Sequence, residues 1–229
     1  MKALAIIPAR GGSKRLPRKN IRELGGKPLV AHTLAAAQDS GCFDRILLSS
    51  DDEEILSISE SFKYVMPWVR PDRLAGDHVT ALELVCEITT DQKIIDEFDV
   101  VVLLLPTCPF RTAQHVKEGF NLLSKGVDGV ISLTTYEFPP QLSVNLEDDL
   151  IKPVFEPCPL ITGNTRSQDQ KIIYRPNGGF YIQWMKSFLV NQNFWKGKVR
   201  GYVMDRMDST DIDTELDLKY AQFILENKQ

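Results

Sequence analysis

The sequence predicts an α/β protein built on a doubly wound, mostly parallel sheet. Short apolar runs, each the length of a buried strand, alternate with amphipathic stretches that have helical spacing. The run Asp99–Leu105 (DVVVLLL) is the clearest central strand, because it is rich in β-branched residues and ends at Pro106. Alternation of this kind is typical of a sheet with helices on both faces. The length of 229 residues suits a single such domain spanning 1–229.

The elements follow from the N-terminus in order. Four strands are predicted first, at Ala3–Pro8, Arg45–Ser50, Tyr64–Val69 and Asp99–Leu105. The first helix closes at Gly41 and places Val30, Leu34 and Ala37 on one face, and the acids of Asp51–Glu54 open the next helix. Two more helices are predicted at Thr80–Ile95 and Thr112–Leu123.

The stretch Gln141–Lys171 interrupts this alternation. It is spotted with prolines and has short alternating runs, which predict a small β-hairpin extension inserted at about 141–171. Two strands and a last helix return the chain to the sheet, at Gly178–Trp184, Gly201–Met204 and Thr214–Asn227. The pattern of the last helix predicts Leu216, Tyr220 and Phe223 on its buried side.

Composition excludes several classes of protein. Hydrophobic residues make up 43% and charged residues 25%, as in an ordinary globular protein, and the net charge of −4 argues against nucleic-acid binding. The apolar runs are too short to span a membrane. The 4 cysteines form no CxxC pair and no signal peptide is evident, so we expect a cytoplasmic protein with reduced thiols.

Charge is concentrated in two segments. Six basic residues and no acids lie between Ala9 and Arg22, whereas six acids and one basic residue lie between Asp205 and Asp217. This asymmetry predicts a polyanion site near the N-terminus and a cation site near the C-terminus, with two solvated loops as the alternative. In open α/β sheets ligands bind at the carboxyl ends of the strands, so the loops that follow Pro8, Ser50 and Leu105 are candidate sites.

The basic segment runs from Pro8 to Asn20 (PARGGSKRLPRKN). Its two glycines follow a buried strand, so the backbone can approach a ligand closely and its amides can face an anion. The segment contains neither the GxxxxGK[ST] of a Walker A loop nor the GxGxxG of dinucleotide folds. From these residues alone, a solvated basic turn remains the alternative.

The acidic segment contains the motif Asp211-Ile212-Asp213. In an extended chain, residues two apart point to the same face, so both carboxylates could reach one cation. Mg²⁺ prefers oxygen ligands and commonly bridges one or two carboxylates to substrate phosphates. The alternative is that Asp213 or Thr214 caps the last helix, which explains one acid but not the pair.

Several stretches together resemble the acylneuraminate cytidylyltransferases, also called CMP-sialic acid synthetases, a family that includes legionaminic and pseudaminic acid cytidylyltransferases. They occur in the family's order and cover nearly the whole chain: IIPARGGSKRLPRKNI, CFDRILLSSD, RPDRLAGD, LPTCPFRT, RPNGGFYI and DSTDIDTELDL. The resemblance implies a Rossmann-like nucleotidyltransferase fold and a Mg²⁺-dependent enzyme of carbohydrate biosynthesis. It further implies that CTP and a nine-carbon 2-keto sugar acid are converted to the CMP-sugar and pyrophosphate.

The resemblance also implies roles for matching residues. Arg10, Lys19, Asp211 and Arg166 would be catalytic, and Asp211 and Asp213 would hold the metal. The nucleotide-binding residues would be Gly11, Gly12, Ser13, Lys14, Asn20, Arg70, Asp77 and Thr80. The sugar-binding residues would be Leu105, Arg166, Arg175, Asn177, Tyr181, Phe194 and Trp195.

Some of these residues also have structural interpretations. Arg70 could form a surface ion pair, Arg166 and Arg175 could tether the hairpin, and Phe194 and Trp195 could belong to the core. The three histidines lack the spacing of a metal cluster.

Two positions depart from the family's pattern. Leu105 stands where many sialic acid synthetases have glutamine, and Arg15 replaces a frequent glycine. A deoxygenated acid such as legionaminic or pseudaminic acid would tolerate the more apolar site that Leu105 creates. Cys108 has no evident histidine partner and is interpreted as small packing rather than a nucleophile.

Two other functions remain open at this point. One is a cytidylyltransferase for another acidic sugar such as Kdo, and the other is a non-catalytic nucleotide-sugar-binding module. The insertion at Gln141–Lys171 resembles the arm through which family members dimerise, so we expect a homodimer without nucleic-acid or membrane partners.

Overall fold

A computed structural model describes residues 1–227 and divides the chain into two compact units. The first unit contains Met1–Leu133 and the chain from Pro176 onward, and the second is Thr134–Arg175. Within residues 1–227, no helix combines the length and apolarity needed to cross a bilayer.

The strands and helices alternate along most of the chain. The strands are β1 (Ala3–Pro8), β2 (Glu23–Leu24), β3 (Lys27–Pro28), β4 (Arg45–Ser50), β5 (Val65–Val69), β6 (Val100–Leu103), β7 (Gly129–Thr135), β8 (Val144–Glu147), β9 (Leu150–Pro153), β10 (Tyr174–Trp184) and β11 (Val199–Val203). The helices are α1 (Leu29–Ser40), α2 (Glu53–Ser57), α3 (Asp72–Ala75), α4 (Ala81–Ile88), α5 (Gln92–Glu97), α6 (Ala113–Leu122), α7 (Pro159–Thr162), α8 (Met185–Asn191) and α9 (Glu215–Asn227).

A seven-stranded sheet forms the centre of the fold, in the order β11-β7-β10-β6-β1-β4-β5. Strand β1 is parallel to both neighbours, β4 and β6, and β4–β5 and β11–β7 are also parallel pairs. Strand β10 runs antiparallel to β6. The predicted doubly wound, mostly parallel sheet is therefore confirmed, and β1, β4 and β6 end at the same edge.

Alternate residues of the central strands enter two separate cores. Ala5 and Ile7 of β1 pack with residues of α1 and α6 on one face, whereas Leu4 and Ile6 pack with α4 and α8 on the other. This follows from the two-residue period of a strand covered by helices on both sides. The predicted buried face of α1 (Val30, Leu34 and Ala37) is confirmed, as is its end at Gly41, whose φ of 61° is left-handed.

A third hydrophobic cluster joins remote parts of the chain. Leu16 of the basic segment and Ile212 of the acidic segment pack with Leu218, Ala221 and Ile224 of α9. Leu16 and Ile212 are fully buried. This cluster is the physical reason why the two charged segments come together.

The predicted buried side of α9 is wrong. Leu216, Tyr220 and Phe223 are 75%, 54% and 61% exposed, while the neighbouring stripe faces the third cluster. Gly25 explains the choice of stripe, since a Cβ built there would lie 2.3 Å from a methyl group of Leu225. The helix docks closely against the β2–β3 turn at this point.

Two further elements differ from the sequence prediction. The expected helix Thr80–Ile95 is interrupted between α4 and α5, because Asp91 caps α5 and the Thr89 hydroxyl donates to the Val85 carbonyl oxygen at 2.8 Å. Strand β7 and helix α8 were not predicted by the sequence pattern.

The second unit contains the predicted hairpin. Strands β8 and β9 pair antiparallel, joined by a turn in which Asp148 and Asp149 both have positive φ. Large apolar side chains of this unit are exposed, among them Phe138, Leu146, Leu150, Ile151, Ile161 and Ile172.

Candidate active site

A cleft of about 270 Å³ opens in the first unit at the carboxyl ends of the parallel strands. Pro8 at the end of β1 and the turn Leu105–Thr107 after β6 both line it, as the topology predicts. Five basic side chains and one carboxylate line the same cleft: Arg10, Lys14, Arg15, Lys19, Arg70 and Asp213. The cleft is therefore suited to a polyanion.

Two residues of the basic segment that do not line the cleft, Gly11 and Arg18, anchor the segment to Asp51 and Asp52. Arg18 adopts a left-handed conformation and its guanidinium lies 3.3 Å from the Asp52 carboxylate, away from the cleft. The Gly11 amide donates to the Asp51 carboxylate at 2.9 Å. A Cβ at Gly11 would lie 2.9 Å from an Asp52 oxygen, whereas one at Gly12 would meet nothing within 4 Å. Gly11 is therefore required for the close approach to the β4–α2 turn.

The acidic segment meets the basic segment across the cleft. Lys19 Nζ lies 2.8 Å from Asp213 Oδ1, and Arg15 Nη2 lies 2.8 Å from Asp213 Oδ2. The Ile212 amide donates to the Thr107 carbonyl oxygen at 2.9 Å, which joins the acidic segment to the turn after β6. Asp213 lines the cleft, and Asp211 is close enough to affect the titration of Cys108 and Tyr181.

The cap of α9 does not use the Asp213 carboxylate. The Asp217 carboxylate accepts from the amides of Asp213 and Thr214, at 3.0 and 2.7 Å, and the Thr214 hydroxyl accepts from the Asp217 amide at 3.3 Å. Thr214 and Asp217 thus form a reciprocal cap. Thr214 therefore caps α9, as one of the two alternatives predicted, and the Asp213 carboxylate pairs with Lys19 and Arg15 instead.

Arg70 and Asn20 form the buried floor of the cleft. Arg70 is only 6% exposed and donates to the Ser49 carbonyl and hydroxyl oxygens at 3.1 and 3.2 Å, so the surface ion pair considered for it is wrong. Burial lowers the pKa of Arg70; nearby Asp51 opposes this shift and the charge of Arg10 adds to it. The Asn20 amide donates to the Arg10 carbonyl oxygen at 2.9 Å and fixes the start of the basic segment.

A second set of ion pairs joins the basic segment to Asp77. Arg10 Nη1 lies 3.2 Å from Asp77 Oδ1, and Lys14 Nζ lies 2.5 Å from Asp77 Oδ2. The hydrogen bond from Lys14, with the charges of Lys14 and Arg10, lowers the pKa of Asp77. Thr80 caps α4 through a capping box with Glu83 and lines the cleft. The cleft thus also faces the N-terminus of a helix, which favours anions.

Comparison with known proteins agrees with this geometry. A family model described as Cytidylyltransferase matches residues 4–176. The chain belongs to the cytidylyltransferase family.

Curated relatives match almost the whole of this chain. A CMP-N,N'-diacetyllegionaminic acid synthase of Legionella pneumophila is 32% identical over 100% of this chain and 98% of its own length. A pseudaminic acid cytidylyltransferase of Campylobacter jejuni is 35% identical over 98% of this chain and 96% of its own length. An N-acylneuraminate cytidylyltransferase of Streptococcus agalactiae is 34% identical over 95% of this chain but only 52% of its own length.

Solved structures support the fold. A CMP:2-keto-3-deoxy-manno-octonic acid synthetase complexed with CTP superimposes with a TM-score of 0.71 at 15% identity, covering 100% of both chains. A 4-diphosphocytidyl-2C-methyl-D-erythritol synthase of Anaerococcus prevotii gives a TM-score of 0.69 at 17% identity, covering 98% of this chain and 96% of that one. The Rossmann-like nucleotidyltransferase fold expected from the sequence is confirmed.

The residues expected around the sugar differ in burial in this cytidylyltransferase. Phe194 is buried against Phe188, with ring centroids 4.8 Å apart, so it belongs to the core. Trp195 is 54% exposed and its ring centroid lies 6.1 Å from that of Tyr181. Burial and the nearby charge of Asp211 raise the pKa of Tyr181, which stays protonated at neutral pH. Leu105 lines the cleft itself.

Asn177 is part of a buried polar network. Its side-chain oxygen Oδ1 accepts from the Ser132 hydroxyl at 2.6 Å, and its side-chain nitrogen Nδ2 donates to the Ser209 hydroxyl at 2.8 Å. Asn177 therefore connects the sheet to the acidic segment. Through these contacts Asn177 can hold the acidic segment in place.

The two remaining arginines belong to the second unit. Arg166 is exposed and its Nε lies 3.9 Å from Asp169 Oδ2, three residues along a short 3₁₀ turn. Arg175 lies in β10 at the end of the unit and is half-buried. Their roles toward a sugar carboxylate stay predictions.

Sequence reasoning missed one buried cation beside the cleft. Arg111 is fully buried and donates from Nη1 to the carbonyl oxygens of Leu105 and Gly179, at 3.2 and 2.7 Å. Burial lowers its pKa to about 10, so it remains charged at neutral pH, and it braces the turn that carries Leu105. Cys108 in the same turn is also buried, and burial raises its thiol pKa to about 11, as expected for small packing.

Proposed function

We propose that this cytidylyltransferase activates a nine-carbon 2-keto sugar acid with CTP, forming the CMP-sugar and releasing pyrophosphate. The observation that carries the proposal is the 2.8 Å approach of Lys19 to Asp213, which brings a cationic turn and a carboxylate of the acidic segment to one cleft from opposite ends of the chain. The relatives named above, which by name activate legionaminic, pseudaminic and N-acylneuraminic acids, give the class of sugar.

The nucleotide would bind between the cationic turn and the floor of the cleft. Arg10 and Lys14 would release the Asp77 carboxylate and bind the phosphates of CTP instead, because a triphosphate carries more negative charge than one carboxylate. Asn20, Arg70 and Thr80 would lie against the rest of the nucleotide, as they form the adjoining floor and wall. The helix dipole of α4 adds to this attraction.

The donor set fits a magnesium ion shared with the substrate. Within residues 1–227, no group of three or more His, Cys, Asp or Glu side chains is arranged to hold a metal. Asp211 and Asp213 are the residues that would hold the ion, and Mg²⁺ sites in proteins commonly combine one or two carboxylates with substrate phosphates. Bound there, the ion would neutralise phosphate charge and acidify a coordinated hydroxyl.

Catalysis would then depend on positioning and charge neutralisation. The anomeric hydroxyl of the acid would attack the α-phosphorus, and the bond from that phosphorus to the pyrophosphate oxygen would break. Lys19 and Arg10 would stabilise the negative charge that builds on the departing pyrophosphate. Arg166 and Arg175 would bind the sugar carboxylate, since a guanidinium matches a carboxylate with two parallel hydrogen bonds.

The cleft favours a deoxygenated acid such as legionaminic or pseudaminic acid. Leu105 presents an apolar side chain to the cleft, so a substrate hydroxyl placed against it would lose water without gaining a hydrogen bond. A panel of 2-keto sugar acids incubated with CTP and Mg²⁺, with the product identified by mass spectrometry, tests both statements. Faster CMP transfer to sialic acid than to either deoxygenated acid would contradict the preference, and transfer to an eight-carbon acid alone would contradict the class.

We also propose that the second unit mediates a homodimer. Its large apolar side chains, such as Leu146, Ile151 and Ile161, are exposed, and groups of exposed apolar side chains mark protein interaction sites. Light scattering should give twice the chain mass, and Ile151→Glu should shift it to the monomer. A monomeric wild-type protein at micromolar concentration would contradict the proposal. The cytosolic location stays a prediction.

A further inference from the structure

A cluster of titratable side chains lies outside the lining of the cleft. His115 Nε2 is 3.6 Å from Asp208 Oδ2, and the His115 ring lies 6.2 Å, centroid to centroid, from the ring of Tyr202. The Tyr202 hydroxyl donates to Glu118, and the Glu118 charge also faces His115. The cluster therefore joins α6, β11 and the acidic segment.

The orientation of the His115 ring is fixed by α6. Thr112 and His115 form a reciprocal cap, in which the Thr112 amide donates to His115 Nδ1 and the His115 amide donates to the Thr112 hydroxyl, both at 3.2 Å. Because Nδ1 accepts a hydrogen bond, the ring proton lies on Nε2. The Nε2 proton thus faces the Asp208 carboxylate.

Asp208 lies in the segment that carries the proposed metal ligands. Strand β11 ends at Val203 and α9 begins at Glu215, so residues 204–214 depend on side chains and isolated hydrogen bonds for their conformation. The Cys108 thiol donates to the Asp208 carbonyl oxygen at 3.4 Å. His115 contacts the side chain of the same residue, so Asp208 is contacted at both its backbone and its carboxylate.

We propose that His115 is a positioning residue that holds, through Asp208, the acidic segment in the conformation that presents Asp211 and Asp213 to a metal-bound nucleotide. The inference rests on the proposed function. His115 does not line the cleft, and it meets the acidic segment at Asp208. Groups that fix the direction in which metal ligands point affect metal binding, and His115 would do so through Asp208, three residues before Asp211.

Three variants separate the contact from the helix cap. His115→Glu keeps a capping box with Thr112 but places a second carboxylate against Asp208. His115→Gln keeps the cap and a neutral donor. The double variant His115→Glu with Asp208→Asn removes the repulsion while leaving the new cap in place.

Two measurements read out the proposal. Hydrogen exchange of residues 205–213 in metal-free, nucleotide-free protein reports the order of the segment. The Mg²⁺ concentration that gives half-maximal pyrophosphate release reports the presentation of the metal ligands. We expect His115→Glu to accelerate exchange and to raise the Mg²⁺ requirement about tenfold, the lower end of the range for partners of metal ligands. His115→Gln and the double variant should resemble the wild type in both.

Each other outcome is decisive. An unchanged Mg²⁺ requirement in His115→Glu overturns the proposal, even if exchange accelerates. A double variant as impaired as His115→Glu, or as unfolded, shows that the ring acts through packing and also overturns it. If the wild type releases no pyrophosphate from CTP, the proposed function fails, while the exchange comparison still shows whether His115 orders the segment.

Discussion

Replacing Lys19 by glutamine tests whether the cationic turn serves catalysis or only the fold. Lys19 and Asp213 are paired at 2.8 Å, with side chains 16% and 26% exposed. An ion pair of this exposure contributes about 1 kcal/mol. Arg15 stays 2.8 Å from the other Asp213 oxygen, so the net loss is smaller. In a protein of this size we therefore expect the melting temperature to fall by no more than about 2–4 °C.

The expected loss of activity is much larger. If Lys19 stabilises charge on the departing pyrophosphate, its removal should lower kcat by about 10²–10³-fold, or about 2.7–4 kcal/mol. Arg22→Gln is the control, because Arg22 forms an ion pair with Glu215 at a similar distance, 2.9 Å, but is more exposed and does not line the cleft. Pyrophosphate release and thermal unfolding would be measured on both variants. A kcat for Lys19→Gln as close to wild type as that of Arg22→Gln would refute the reasoning.

Other substitutions test the site and the fold together. Asp211→Ala should abolish turnover without changing the circular dichroism spectrum, and substantial activity with Mg²⁺ would exclude it as a ligand. Ile212→Ala removes a fully buried side chain and should lower the free energy of unfolding in urea by about 2–4 kcal/mol. Leu216→Ala, on the exposed stripe of α9, should change it by less than about 0.5 kcal/mol. Cys108, with a thiol pKa of about 11 and full burial, should resist alkylation at pH 8 until the protein unfolds.

The sequence predicted the sheet because strand signals are local. The central strand β6 and the buried face of α1 each follow from one apolar run and its period. The side of α9 that is buried could not be found in this way. The helix has two apolar stripes, one through Tyr220 and one through Ala221, and only tertiary contacts select between them, among them the packing of Ala221 in the third cluster and the tight contact of Leu225 with Gly25.

The candidate site was predictable where charge was concentrated and less so where single residues matter. The basic and acidic segments stand out by composition. Ile212, an apolar residue between two acids, was the one sequence signal that the two segments pack together through buried side chains. Arg70 gave no sign of being buried, because its partner Ser49 lies at the end of another strand. Arg111 is held by backbone carbonyl groups, and the His115–Asp208 contact joins residues about a hundred positions apart. No local sequence pattern reports either contact.

Equilibrium binding of CTP with and without Mg²⁺ is the most direct test of the central claim, that both charged segments hold one nucleotide. We predict that Mg²⁺ strengthens CTP binding to the wild type, and that Asp211→Ala still binds CTP through its cationic turn but no longer responds to Mg²⁺. Equal strengthening by Mg²⁺ in Asp211→Ala, or no binding of CTP by the wild type, would contradict the account.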